Sequence, residues 1–182
     1  VEFLTREMLC QAEDGNYILI TQSRNESYSY IFRRLDNLGN IILEKKQVVL
    51  FGNWGTPNFI YASKDNGLYM LNGNQQCLLK MASDGTVNWI IEFHKEFIIT
   101  YSHGIVLDDN SFVFTYGKFS DKSERFSSYG LHNILINKFN DQGLLVWKKE
   151  IIDNINFIKT NNISLGNGKN ILFDTYINGF VR

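Results

Sequence analysis

Short apolar stretches recur along the chain, and each is bounded by a cluster of Asp, Asn and Gly residues. Three clusters align on a glycine, at Gly39, Gly85 and Gly143. The residue five places before each glycine is basic, the residue four places before it is large and apolar, and the residue two places after it is aliphatic. Because alternate residues of a strand point to one sheet face, this spacing predicts a strand end, a tight turn and a new strand.

The aligned glycines are expected to supply the positive φ that a tight turn needs. The Asp or Asn beside each glycine is expected to bond to the turn backbone. Four residues after each glycine the chain carries Leu or Trp, and we expect this side chain to pack between neighbouring repeats. The three residues at this position are Leu43, Trp89 and Trp147.

A second hairpin turn precedes each of these segments. It lies at residues 13–16, 64–67 and 108–110, and a fourth copy lies at residues 166–169. Two hairpins in each repeat predict four antiparallel strands in each repeat. The glycines of the later hairpin lie 46 and then 58 residues apart, and the difference falls in a polar, Ser-rich segment at residues 118–131.

Four antiparallel strands at a period in the mid-forties are typical of β-propeller blades. The sequence therefore predicts an all-β chain of about 3.5 to 4 propeller repeats. We expect one repeat domain over residues 1–182, with blades near 7–49, 59–93 and 97–152 and an incomplete blade at 156–182. Such a chain is either a four-bladed ring that closes imperfectly or, the favoured interpretation, part of a larger propeller.

Composition and charge narrow the classes of partner. Hydrophobic residues make up 44% of the chain and aromatic residues 14%, which disfavours disorder. The 18 Lys and Arg residues balance 19 Asp and Glu without a basic stripe, which argues against nucleic acid. No apolar run approaches the length of a membrane-spanning helix.

Cys10 and Cys77 are expected to be buried free thiols, with a single bridge as the alternative.

Three segments together resemble a known group of proteins: DGNYILI, RRLDNLGNIILEKK and NKFNDQGLLVWKKEI. They are similar to the degenerate repeats of bacterial extracytoplasmic β-propellers, in outline the quinoprotein-like and related repeats of secreted proteins and lipoproteins. The resemblance covers residues 7–180 and implies a propeller fold and a secreted or cell-surface location. Catalytic members would imply a quinone and a calcium site, which cannot be mapped here because too few blades are present to enclose a cofactor.

A second resemblance is to bulb-type mannose-binding lectins, which share the turn and the Trp-containing strands. Their sugar-binding signature requires Asp and Asn where this chain has Glu13 and Gly15. The departure argues against sugar binding by that route.

No catalytic, cofactor-binding or metal-binding residue is predicted. Nucleophile elbows, phosphate-binding loops and dinucleotide fingerprints are absent from the sequence. The best local histidine cluster, His103 near Asp108 and Asp109, is interpreted as a turn histidine. A pair of carboxylates in a hydrolase stays an alternative, because a sequence does not show spatial pairs. Turn capping rather than calcium binding is expected of the acidic turn residues, which are Asp14, Asp36, Asp65, Asp84, Asp108, Asp109 and Asp141.

Residues 118–131 are the departure from the repeat that could carry function. Arg and Tyr are favoured anchors at interfaces, and loops on a rigid scaffold commonly bind partners. The alternative is a solvated, variable loop. The candidate partner-binding residues of the loop are Asp121, Lys122, Glu124, Arg125, Phe126 and Tyr129.

Charges at residues 44–46 and 148–150 are expected to protect the outer sheet edges.

These observations predict a non-catalytic interaction or scaffold module that needs no cofactor. It would act outside the cytoplasm and bind a protein partner or a surface glycan through its blade loops. One alternative is a propeller enzyme, glycan-active or quinone-dependent, with an axial active site. Another is a purely structural part of a surface complex.

Overall fold

A computed structural model describes residues 4–23, 29–48, 59–72, 77–93, 100–119, 131–152, 157–165 and 171–178. These residues form fourteen strands, and the described part of the chain contains no helix. Three antiparallel sheets have four strands each, paired in chain order, and a fourth sheet has two strands. A helix that could cross a membrane is therefore not found among the described residues.

The first sheet contains β1 (Leu4–Gln11), β2 (Tyr17–Ser23), β3 (Ser29–Leu35) and β4 (Ile41–Val48). The second contains β5 (Phe59–Ala62), β6 (Leu68–Asn72), β7 (Cys77–Met81) and β8 (Val87–Glu92). The third contains β9 (Thr100–Val106), β10 (Phe112–Phe119), β11 (Leu131–Phe139) and β12 (Leu145–Ile152). The two-stranded sheet contains β13 (Phe157–Leu165) and β14 (Ile171–Asn178).

This architecture confirms the fold class, because each four-stranded antiparallel sheet matches a propeller blade. The expected single-domain organisation stays a prediction. The chain forms two compact units, the first made of Val1–Glu92 with Asp108–Asn110 and the second of Phe93–Leu107 with Ser111–Arg182.

The described turns within the blades share one backbone design. In the β3–β4 turn the N–H of Gly39 donates to the carbonyl of Asp36 at 3.0 Å, and the N–H of Asp36 donates to the carbonyl of Asn40 at 2.9 Å. This is a three-residue hairpin loop that ends in a residue of positive φ. The same position is occupied by Gly15, Asn66, Gly85, Asn110 and Gly143, whose φ angles are 83°, 64°, 76°, 59° and 80°.

Asparagine, rather than glycine, takes the left-handed conformation in two of these turns. In the β5–β6 turn the positive φ belongs to Asn66 and not to Gly67. Glycine is required at position 67 for a steric reason, because a Cβ there would lie 2.1 Å from the carbonyl oxygen of Met81. Asparagine tolerates this backbone region better than other residues with a Cβ.

The core of the first unit forms where the first two sheets face each other. Buried apolar side chains come from both sheets, and Leu43 packs against them from β4. Gly85 brings the turn before β8 against this layer, since a Cβ there would lie 2.7 Å from Cδ1 of Phe32. The buried members of the cluster are Ala12, Ile18, Ile20, Tyr30, Phe32, Leu68, Met70, Cys77, Leu79 and Met81.

The second unit has its own apolar layers. Val113, Ile134 and Ile136 form a buried cluster, against which Ile105, Leu107 and Trp147 pack. Strand β13 lies against β9, β10 and β11. A row of aromatic rings occupies the alternate positions of β10, with ring centroids 5.9 Å apart for Phe112 and Phe114 and 5.6 Å for Phe114 and Tyr116. Strand β10 therefore presents buried side chains on both of its faces.

Substituting the turn glycines tests how closely the two sheets of the first unit approach. Gly39→Ala is expected to cost about 1 kcal/mol, because it forces a side chain into the left-handed region with open space around it. Gly85→Ala should cost roughly 2–4 kcal/mol, since it adds a clash with the Phe32 ring to the same backbone strain. Urea unfolding of the two variants measures the difference. Equal costs would contradict the close approach at Phe32.

Candidate interaction surface

The β1–β2 and β3–β4 turns meet at one end of the first sheet through a charged contact. The guanidinium group of Arg34 contacts the carboxylate of Asp14 and donates to the carbonyl oxygens of Asn66 at 3.1 Å and Ser83 at 3.3 Å. Arg34 is the basic residue five places before the aligned glycine. The contact thus joins the two hairpins of one blade and reaches the turns of the next.

The second sheet repeats this contact with a buried amine. Nζ of Lys80 lies 2.7 Å from Oδ2 of Asp65 and 5.6 Å from the ring centroid of Tyr69. The side chain of Lys80 is 1% exposed and that of Asp65 is 43% exposed. The Ser63 hydroxyl donates to the other oxygen of the same carboxylate. The basic residue before the turn therefore acts as an electrostatic link between the two hairpins of a blade.

Asparagine side chains link one turn to the next within the first unit. The N–H of Asp14 donates to Oδ1 of Asn66 at 2.9 Å, and the N–H of Lys64 donates to Oδ1 of Asn110 at 2.8 Å. Nζ of Lys64 also lies 2.6 Å from Oε1 of Glu13. This role was not predicted from the sequence. Asn in place of Gly at the left-handed turn position was the signal that could have revealed it.

Hydrogen bonds favour the ionised form of three turn aspartates, Asp36, Asp65 and Asp84. Hydrogen bonds from the side chain and backbone of Asn40 lower the pKa of Asp36, and those from Thr86 lower the pKa of Asp84. Desolvation raises the pKa of Asp65, but its bonds with Lys80 and Ser63 outweigh that effect and the net shift is downward. These carboxylates are engaged with turn groups. Among the described residues no group of three or more His, Cys, Asp or Glu side chains could hold a metal ion.

The other candidate residues are dispersed. His103 is half-buried on β9 opposite Thr115, His132 lies on β11, and His94 falls outside the described residues. Both cysteines are free thiols, and burial raises the pKa of Cys10 to about 11. A thiol with so high a pKa is a poor nucleophile at neutral pH.

The predicted partner-binding loop lies outside the residues that the structure describes. This applies to all six of its candidate residues, which are Asp121, Lys122, Glu124, Arg125, Phe126 and Tyr129. Their role therefore stays a prediction.

The structure instead draws attention to the fourth strand of each blade. Of the nine exposed large apolar residues described, all but Leu9 lie on a fourth strand or in the turn before it. An exposed Leu or Ile alone is ordinary, but contiguous groups mark interaction sites. The eight residues are Leu38, Ile41, Ile42, Ile90, Leu144, Leu145, Val146 and Ile151.

We call β4 and β12 the rim strands, because most of these residues belong to them and to their turns. Each rim strand is the last strand of its sheet among the described residues, so one side of its backbone has no neighbouring strand there. Each also carries two adjacent lysines beyond the apolar residues, Lys45 and Lys46 on β4 and Lys148 and Lys149 on β12. Strand β8 has isoleucines and no lysine.

The fold defines the class of protein: β-propeller blades, two of which carry exposed apolar residues and lysines on their fourth strands. The chain is similar to BBS1N, solved in complex with ARL6DN, with a TM-score of 0.54 and 10% identity over 96% of this chain. Virginiamycin B lyase from Staphylococcus aureus has a TM-score of 0.45 and 14% identity, and covers 92% of this chain. At 10% identity, the likeness to BBS1N shows the propeller fold alone.

The chain spans 49% of the BBS1N chain and 62% of the lyase chain. A protein of unknown function from Bacteroides caccae is also similar, with a TM-score of 0.44, 8% identity, and coverage of 79% of this chain and 66% of its own. No protein-family model matches the sequence, and no curated protein matches it either.

Removing the carboxylate of Asp65 tests the buried link in the second sheet. Asp65→Ala is expected to lower the free energy of unfolding by about 2 kcal/mol, because it leaves the Lys80 ammonium buried without its counter-charge. The loss is smaller than for a fully buried pair, since Asp65 is partly exposed. Lys80→Met added to Asp65→Ala should recover most of the stability, as measured by urea unfolding. A double variant as unstable as Asp65→Ala would contradict the electrostatic account.

The pH dependence of unfolding tests the turn aspartates. The folded-state pKa of Asp36 lies below its ordinary value of 3.8. The stabilising contribution of this carboxylate is therefore complete above the ordinary value and is lost as the pH falls through the folded-state pKa. Asp36→Asn should keep the turn, because Asn140 fills the equivalent position and accepts from the N–H groups of Gln142 and Leu144. The variant should therefore lose less stability than the parent between about pH 5 and pH 2. An unchanged slope would contradict this role.

Proposed function

We propose that this chain is a non-catalytic interaction scaffold that binds a protein partner through its rim strands. The observation that carries the proposal is the concentration of exposed apolar side chains on β4, β12 and the turns before them. Grouped apolar residues beside charged ones are typical of protein–protein interfaces. BBS1N, which shares the fold, was solved with ARL6DN bound to it.

The construction of the blades supports this use of the rim. Side chains on β6 and β7 are buried at every described position, whereas the fourth strands alternate or are largely exposed. The core therefore fixes the inner strands, and the outer strands are free to present residues to a partner. A rigid scaffold lowers the entropy cost of ordering such a surface.

The remaining parts of the functional hypothesis rest on the sequence. The loop residues Arg125, Phe126 and Tyr129 are proposed as a second contact region, and the extracytoplasmic location is implied by the family resemblance. A surface glycan as ligand and an axial enzyme site are the alternatives. A glycan array tests the first of these, and binding of a glycan in place of a protein would replace the proposal.

Quantitative capture with matched variants tests the scaffold function. The chain, immobilised, is exposed to cell-envelope extract and culture fluid of its natural source, beside Ile42→Glu/Val146→Glu and the control Ile90→Glu. We expect a protein that the parent and the Ile90→Glu control retain and that the double variant loses at least about tenfold, because charges are buried against apolar partner groups.

Circular dichroism and thermal melting establish that all three chains are folded equally. A captured set that is identical for the parent and the double variant would show that the rim does not bind the partner. A parallel pair, Arg125→Ala/Phe126→Ala, reports on the loop in the same assay. Loss of capture in that pair alone would assign binding to the loop.

A further inference from the structure

We propose that two copies of this chain pair through the face of the first sheet that points away from the second sheet. We call it the open face, and its central residues are Leu9, Tyr17, Leu19, Arg33 and Leu35. Leu9 is 59% exposed, and unlike the other exposed large apolar residues described it lies outside the fourth strands and their turns. The pairing is separate from the rim strands and does not require that they bind a partner.

Strand alternation defines the open face. Met8 and Cys10 on β1 pack against the core that the first two sheets share, so Leu9 between them points to the opposite side. Leu9 pairs with Leu19 on β2, and Leu19 pairs with Arg33 on β3. Residues paired in this way stand side by side on one face of a sheet. The open face is therefore continuous across these three strands.

The second sheet shows what side chains at these positions pack against. Leu68 and Met70 stand two and four places after the positive-φ residue of their turn, as Tyr17 and Leu19 do in the first sheet. Leu68 and Met70 are fully buried in the core that their sheet shares with the first sheet. Tyr17 and Leu19 are only half-buried. The open face thus has the positions of a face that, one repeat later, is covered by a sheet of this chain.

The charges of the open face suit a second copy. Nε of Arg33 lies 2.6 Å from Oε2 of Glu44, so the charges nearest the apolar centre balance each other within the sheet. Farther from the turns, the register places Glu7 of β1 and Lys46 of β4 on the same face. These two acidic and two basic residues give no net charge. Two such faces therefore do not repel each other, whereas an excess of one sign would favour a partner of the opposite charge.

The size of the open face fits a reversible pair. Its four strands are seven or eight residues long. At about 4.8 Å between strands and about 3.3 Å per residue, the face measures on the order of 19 by 25 Å. Two such faces pressed together bury roughly 1,000 Å² in total, which is the low end of the range for specific interfaces. We therefore expect a dimer whose population depends on the protein concentration.

A second copy supplies an apolar sheet face in the same exposed state. An interface between like faces has two-fold symmetry and needs only one self-complementary patch. Sheets of this chain already pack on one another through apolar side chains at alternate positions, so the pairing repeats a contact that the repeat makes. Apolar centres are also typical of homodimer interfaces. Each dimer would carry two sets of rim strands, which increases the avidity for a partner with two binding segments.

Sedimentation velocity tests the pairing. Over a range of about 1 to 200 µM the parent chain should change from monomer to dimer. Leu9→Glu should raise the dissociation constant of the dimer at least about tenfold, because its carboxylate would be buried among apolar groups. Leu9→Gln, which adds no charge, should raise it less. The control is Ile90→Glu on β8, where the parent side chain is 44% exposed, and it should leave the dimer unchanged.

A mixed titration tests whether like faces meet. Fluorescein-labelled Leu9→Glu is titrated with the parent chain. If like faces pair, every mixed dimer contains the substituted face, so its affinity should also fall at least about tenfold. If the open face instead docks on a different surface of the second copy, the parent's open face binds the variant with full affinity. That outcome would overturn the pairing of like faces.

The dilution series of the parent chain decides the proposal even if a variant does not fold. A parent chain that stays monomeric at every concentration would overturn self-association and leave the open face to another propeller sheet. A dimer that Leu9→Glu leaves intact, or that Ile90→Glu weakens equally, would overturn the assignment to the open face. None of these outcomes bears on capture of a partner by the rim strands, which the Ile42→Glu/Val146→Glu variant measures separately.

Discussion

The structure depends on one constraint: a propeller sheet is apolar on both faces and is stable only when both are covered. The second sheet shows this most clearly, because Leu68, Tyr69, Met70 and Leu71 on β6 are all fully buried although they point alternately to opposite faces. The same holds for β7, including the charged Lys80. Stacking of repeats covers such faces, as the shared core of the first two sheets shows.

Covering both faces leaves the turns to fix the position of each sheet. Each described turn ends in a residue at positive φ. In the first unit, neighbouring turns are joined by hydrogen bonds of Arg34, Asn66 and Asn110. These contacts are charged or directional, which the apolar layers are not. Burial of apolar side chains therefore holds the sheets of the first unit together, and the hydrogen bonds between turns fix how one sheet is positioned against the other. The lysine buried beside Tyr69 belongs to both systems, because its stem lies in the apolar layer and its ammonium group meets Asp65.

The same constraint explains why the rim is where one blade differs from another. Inner strands must satisfy two apolar faces, so their side chains have little freedom to vary. Among the described strands each fourth strand has one open edge. The first and third blades carry apolar residues with lysines there, and the second carries isoleucines with a glutamate. Under the proposed scaffold function, residues of the rim strands contact the partner, and their substitution leaves the core unchanged.

The sequence by itself determined the strands, the turns and the propeller class, because these follow from short-range rules. Alternation of apolar residues and the steric freedom of Gly39, Gly85 and Gly143 act within a few residues of the chain. The tertiary structure alone decided that Asn66 and Asn110 would join successive turns, that Lys80 would be buried, and that the exposed apolar residues would gather on β4 and β12. Those features depend on segments brought together from distant parts of the chain, and on which edge of a sheet stays open. Neither is encoded in the spacing of residues along one strand.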